Sequence, residues 1–188
     1  MSVSALDATN IEIYGGDDDA VMVAPLGTTA PVGIAAPTAP FKNVGWLSED
    51  GISWDDATDK VTITAHQGGV EVIEVTTKVT RTFKFQCLEE TALVLGLRYP
   101  GFTPVQVGTE QVYGGEVPTP VTDRRVWIID TYSISNPGHR VRKVVPIGQV
   151  STVGTMVMKR GEVTVYEFEV KVMEGKFFIY GTNLNPAG

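Results

Sequence analysis

Between Ile73 and Cys87 the chain alternates for fifteen residues. Ile73, Val75, Thr77, Val79, Arg81, Phe83, Phe85 and Cys87 occupy the odd positions. Glu74, Thr76, Lys78, Thr80, Thr82, Lys84 and Gln86 occupy the even ones. A period of two is the mark of a strand with one apolar and one polar face. Strands of globular proteins run about 3–10 residues. A small sandwich has no need of one this long. A sheet that continues past its own domain into a neighbouring subunit does.

The rest of the chain fits β architecture around this strand. Val61, Ile63 and Ala65 alternate with Thr62, Thr64 and His66, and Gly68-Gly69 turns the chain. Val126–Tyr132, Val141–Ile147, Val153–Met158 and Phe177–Tyr180 read as further strands. In the segment 166–172, Tyr166, Phe168, Val170 and Val172 face one way while Glu167, Glu169 and Lys171 face the other. Lys159-Arg160-Gly161-Glu162 leads into it as a hairpin turn, and Asn136-Pro137-Gly138 is a second turn. Ile11 and Ile13 flank Glu12 as a short strand. One helix is expected, opened by Glu89 and Glu90 in its first turn. Its apolar face would carry Leu88, Ala92 and Leu95, with Leu93 and Leu97 beside it. Hydrophobic residues make up 43% of the chain, with 20 Gly and 11 Pro, which suits a β domain with long connections. The expected organisation is an extended N-terminal arm over 1–40, a β domain over 41–180 and a tail over 181–188. Prolines 25, 31, 37 and 40 keep the arm from forming helix, and Val21, Val23, Leu26, Val32 and Ile34 favour its docking onto a neighbour. Residues 43–60 read as a long acidic loop displaying Trp46 and Trp54, and 99–125 as a second Pro/Gly-rich connection.

Chemistry is thinly represented. No run of about 18 apolar residues offers a membrane span, and the first residues lack the pattern of a secretory signal. A single cysteine, Cys87, permits no internal disulfide and falls on the apolar phase as an inert thiol. His66 and His139 lie far apart, with no ligand-spaced partners for zinc. Ser48-Glu49-Asp50-Gly51 lacks the frame of a nucleophile elbow, and no phosphate-binding or dinucleotide glycine motif is present. Aligning Gly51 with the sixth position of a calcium loop puts Trp46 and Ala57 in ligand slots, so the acidic runs are solvated turns. No cofactor, metal or catalytic residue is expected. Net charge is −7, with ten acids against two bases in residues 1–60. Such a balance does not grip nucleic acid by counterion release. It does provide separated charge for head-to-tail stacking. Arg124, Arg125, Arg140, Arg142 and Lys143 are expected to meet carboxylates of a neighbouring protein.

Several pieces occur in a telling order. Gly45-Trp46-Leu47-Ser48-Glu49-Asp50-Gly51-Ile52 opens the series. Gln67-Gly68 follows, then Thr82-Phe83-Lys84-Phe85 with Leu88-Glu89, then the basic-aliphatic stretch Arg140–Ile147, and finally Val150 to Gly154. In this order and spacing, over roughly 41–172, the chain resembles the major tail tube proteins of long-tailed, siphovirus-type bacteriophages. His66 departs from the aromatic that relatives often carry before the Gln-Gly pair. The resemblance implies a mainly β fold, a sandwich or barrel flanked by one short α-helix. It implies a viral structural protein whose six subunits close a ring, the rings stacking into a tube that delivers DNA to the host. The implied partners are the chain itself, with tape measure, tail terminator and baseplate proteins. DNA would pass without specific binding, and no membrane would be involved. The implied location is the virion tail, with assembly in the host cytoplasm. Val32, Ile34, Trp46, Leu47, Glu49, Asp50 and Trp54 are the candidate inter-subunit contacts, and Glu74, Glu167 and Glu169 the candidate lumen carboxylates. The competing reading is a carbohydrate-binding or adhesin-type β-sandwich that stacks sugars on Trp46 and Trp54. An oligonucleotide-binding barrel is disfavoured by the acidic charge.

Overall fold

The computed structural model describes residues 11–64, 66, 68–69, 71–109, 111–182 and 184. The chain is mainly β. In order it forms β1 (Ala20–Pro25), β2 (Lys42–Asn43), β3 (Leu47–Thr64), β4 (Glu71–Cys87), α1 (Ala92–Arg98), β5 (Val105–Gln106), β6 (Tyr113–Gly114), β7 (Arg124–Tyr132), β8 (Arg140–Val153), β9 (Tyr166–Val172) and β10 (Phe178–Gly181). A sheet of order β2-β1-β7-β8-β9-β4-β3 holds nearly all of these, and β10 also pairs with β8. All the pairings are antiparallel. The small β5–β6 hairpin stands apart within the 99–125 connection.

The sheet folds over itself along β8. Val141–Val144 of β8 pair with β10 on one side, while Gly148–Val153 pair with β9. One strand therefore serves two layers, the first built on β1, β7 and β10 and the second on β9, β4 and β3. Val21, Val23, Trp127, Ile129 and Val145 from the first layer meet Phe83, Phe85, Cys87, Tyr166, Phe168 and Val170 from the second in one core. Trp127 stands edge-on to Phe83 and Phe85, at centroid distances of 5.7 and 5.9 Å. The fold at β8 needs Gly148: a Cβ there would lie 2.6 Å from Trp127 Cδ1 and 3.0 Å from Val170 Cγ1. The indole N–H donates to the Gly148 carbonyl instead.

The alternation of β9 appears as expected, with Tyr166, Phe168, Val170 and Val172 all buried. Phe83, Phe85 and Cys87 are likewise inside. Other expectations need correction. Residues 47–60 are strand rather than loop, continuous with the strand expected from Val61, because β4 supplies backbone partners at Leu47 and from Ile52 onward. The segment 153–158 is no separate strand, since β8 runs unbroken to Val153. Ile11–Ile13 make no strand; a single bridge joins Tyr14 to Ser133. Helix α1 begins after Thr91, whose hydroxyl caps it by accepting from the Val94 N–H, and no acid occupies its first turn. It buries Val94 and Leu97 and leaves Ala92 exposed.

The segment 1–40 is also more than an arm. Strand β1 lies inside it and fills the core with Val21 and Val23. Because β2 pairs back onto β1, residues 26–41 form a loop tied at both ends. This strap lies over the outer face of β7, β8 and β10, against Val126, Val144, Pro146 and Phe178. Residues 1–10, Ala65, Gln67 and most of the 181–188 tail fall outside the described residues.

Candidate assembly surfaces

The strap is held by a buried ion cluster. Arg142 is fully buried and donates through Nε and Nη2 to both oxygens of Asp130, at 2.6 and 2.7 Å. Its Nη1 donates to the carbonyls of Gly33 and Ala35 on the strap. Arg140 donates to the same carboxylate at 2.6 Å. Arg125 pairs with Asp123 at 2.7 Å. Three of the basic residues expected to meet a neighbour's carboxylates, Arg125, Arg140 and Arg142, thus have carboxylates of their own, and Asp130 and Arg142 are cross-strand partners in the β7–β8 register. The strap turns Val32 outward at 82% exposure, while Ile34 is only just exposed.

Trp46, Leu47, Glu49 and Asp50 gather at the start of β3. Between Leu47 and Ile52 the strand slips against β4, so Ser48-Glu49-Asp50-Gly51 bulges from the ladder. Gly51 takes φ +68 within it, and Ser48 Oγ donates to Gln86. The bulge leaves Glu49 and Asp50 exposed beside exposed Trp46, while Leu47 packs against the core. The two ends of the long motif meet here. Glu89 accepts the Trp46 N–H at 2.9 Å, and Leu88 donates to the Trp46 carbonyl. Gly45 sits at φ +98, and a Cβ on it would lie 2.6 Å from the Glu89 carboxyl carbon.

Trp54 is not a surface aromatic. It stacks on Phe83 at 5.0 Å and on Phe177 at 5.3 Å, with the Lys143 amine 4.1 Å from its ring centroid. Burial lowers the Lys143 pKa, an effect partly opposed by Asp56. Arg81 completes the clamp, donating to Asp56 and to the Gly175 carbonyl and covering Phe177.

Beyond this clamp β3 and β4 leave the body as a hairpin. Thr58 pairs with Val79 and Asp59 with Lys78, but Lys60 pairs with Thr76, so Thr77 has no opposite residue. Its hydroxyl donates to the Asp59 carbonyl. This bulge reverses the faces. Trp54, Phe83 and Phe85 point into the sandwich, whereas the pairs Val61–Val75 and Ile63–Ile73 point to the opposite side of the sheet. The alternation expected to keep one phase from Ile73 to Cys87 therefore breaks at Thr77. Val61, Ile63, Ile73 and Val75 are each about half exposed, at 50–53%.

The same reversal separates the candidate carboxylates. Glu167 and Glu169 stand opposite Gln86 and Lys84 on the outer face of β9 and β4, and Glu169 pairs with Lys84 at 3.2 Å. Glu74 lies beyond the bulge, on the core side of the hairpin, paired with Lys60. That outer face carries Asp55, Asp59, Glu167 and Glu169 against Lys78, Lys84 and Lys171. Burial, with Glu89 nearby, pushes the Cys87 thiol up to about 12. Among the described residues no group of three or more His, Cys, Asp or Glu is gathered to hold a metal ion. Nor is any helix there long and apolar enough to cross a membrane.

The family model described as phage tail tube protein matches residues 13–176. The chain belongs to the phage tail tube proteins. A search among curated proteins returns no match. This tail tube protein is a structural component of a viral tail. Its matched region takes in β1 through β9 and includes the Gly45–Glu89 junction and the whole projecting hairpin.

Proposed function

We propose that this tail tube protein is the repeating subunit of stacked six-fold rings in a long-tailed phage, a hollow tube that guides DNA to the host. The observation that carries this reading is the hairpin of β3 and β4. It leaves its own domain with apolar residues uncovered, on a chain whose family builds tail tubes. Strand β3 is a sheet edge of 18 residues. An edge of that length invites pairing with another chain, and ring closure removes it. The outer face of β4 and β9, with its interleaved acids and lysines, is the natural lumen wall. Such a wall gives a passing duplex no basic track to bind. On this reading the protein catalyses nothing, and tape measure, terminator and baseplate proteins meet its ends.

Negative-stain microscopy of concentrated purified protein is the test. Hollow rings or tubes with six-fold end views are expected. A protein that stays monomeric at high concentration, even with a tail initiation complex supplied, overturns the reading. The sugar-stacking alternative loses one of its two aromatics, since Trp54 is held between Phe83, Phe177 and Lys143.

A further inference from the structure

One end of the sandwich is open. Where the two layers diverge, Ile52 and Trp54 of β3 face Ile129, Val141, Lys143 and Ile179 across a cleft of about 330 Å³. The lining is mostly apolar, with Tyr14 and Thr131 at its side and Lys143 as its one cation among the described residues. Lys143 is half-buried, its amine lies over Trp54, and the carboxylate acting on it is Asp56 of its own subunit. Ile179 is half exposed at this mouth.

The hairpin is the element of the chain that suits such a cleft. It extends about 26 Å beyond the Asp56–Arg81 clamp, from about eight residues at about 3.3 Å each. It presents two cross-strand aliphatic pairs on one face, each about half exposed, and nothing among the described residues of its own subunit covers them. It is also acidic. From Asp55 to Lys78 it carries Asp55, Asp56, Asp59, Glu71 and Glu74 against Lys60 and Lys78. Apolar surface thus faces apolar lining, and net negative charge approaches the single lysine. The hairpin cannot fill its own cleft. It departs from the wall of that cleft at Trp54, and the Thr77 bulge turns its apolar pairs to the opposite face.

We infer that Val61, Ile63, Ile73 and Val75 of one subunit dock into the cleft between Trp54 and Ile179 of a second copy. This deepens the assembly reading and rests on it. Donor and acceptor surfaces differ, so the contact is head-to-tail and propagates from copy to copy.

Two measurements test it on the full chain. The variant Ile73→Thr/Val75→Thr keeps β-branched residues in the hairpin but loses apolar area. It is expected to unfold like the wild type while the concentration needed for assembly rises roughly tenfold or more. Separately, Ile73→Cys and Ile179→Cys proteins are mixed, assembled and treated with a short bis-maleimide. A cross-linked dimer is expected from the mixture and from neither protein alone, because Cys87 is buried. Wild-type tubes together with undiminished assembly of the double variant overturn the docking alone, as does absence of the cross-link in assembled mixtures. Wild-type protein that never assembles overturns both the docking and the assembly reading.

Discussion

Arg142 is a fully buried cation that makes four hydrogen bonds within its own chain among the described residues. They reach both Asp130 oxygens and two strap carbonyls. Removing one member of a buried pair leaves the other charge stranded, at about 3–5 kcal/mol. Arg142→Ala is expected to lose that much in urea unfolding, softened by the remaining Arg140–Asp130 bond. It should also expose strap residues 26–36 to limited proteolysis. Phe85→Ala, at a site 1% exposed and ringed by Phe83, Trp127 and Phe168, is expected to cost about 3–5 kcal/mol by the same measurement. Glu12 supplies a pH dependence. Hydrogen bonds from Ser133 and His139 hold its carboxyl down at about 2. Its folded pKa lies below the unfolded one, so its contribution is complete above pH ~4.5 and fades as pH falls towards 2. The Ile134 N–H donating to Ile13 is expected to lose exchange protection through that window, and less steeply in Glu12→Gln.

At the scale of elements, legibility followed packing. Strand β9 could be read because each apolar residue of its alternation enters the core. Strand β3 could not, since Ser48–Asp59 holds mostly acids and small polar residues. Its strand state comes from pairing with β4 rather than from propensity. The bulge at Thr77 left no trace in residue type, because threonine suits either face. Only the partner strand reveals that Asp59 and Lys60 skip across it. The strap hid its anchor for the same reason, as Arg142 is distant in sequence and the carbonyls it binds belong to the backbone. The Gly45–Glu89 junction was legible as two motifs, not as one contact. Inserting one threonine between Asp59 and Lys60, opposite Thr77, is expected to restore a single alternation and turn Val61, Ile63, Val75 and Ile73 to the core side of the sheet. The folded subunit should survive with its circular dichroism intact and lose assembly, read by sedimentation. Truncation through residue 40 should do the reverse and abolish cooperative unfolding, because it removes Val21 and Val23 from the core.

For the whole molecule the most consequential feature is β8. In an ordinary two-layer sandwich the layers adhere only through side chains and can shear along that seam. Here a single backbone passes through both, paired with β7 and β10 at one end and with β9 at the other. A load on either layer is carried covalently into its counterpart. The subunit therefore behaves as a bent plate rather than as two stacked ones, and slip is replaced by the far stiffer task of breaking several backbone hydrogen bonds at once. A tube made of such plates would resist bending and twisting mainly within its subunits. Its compliance would be concentrated at the joints between them.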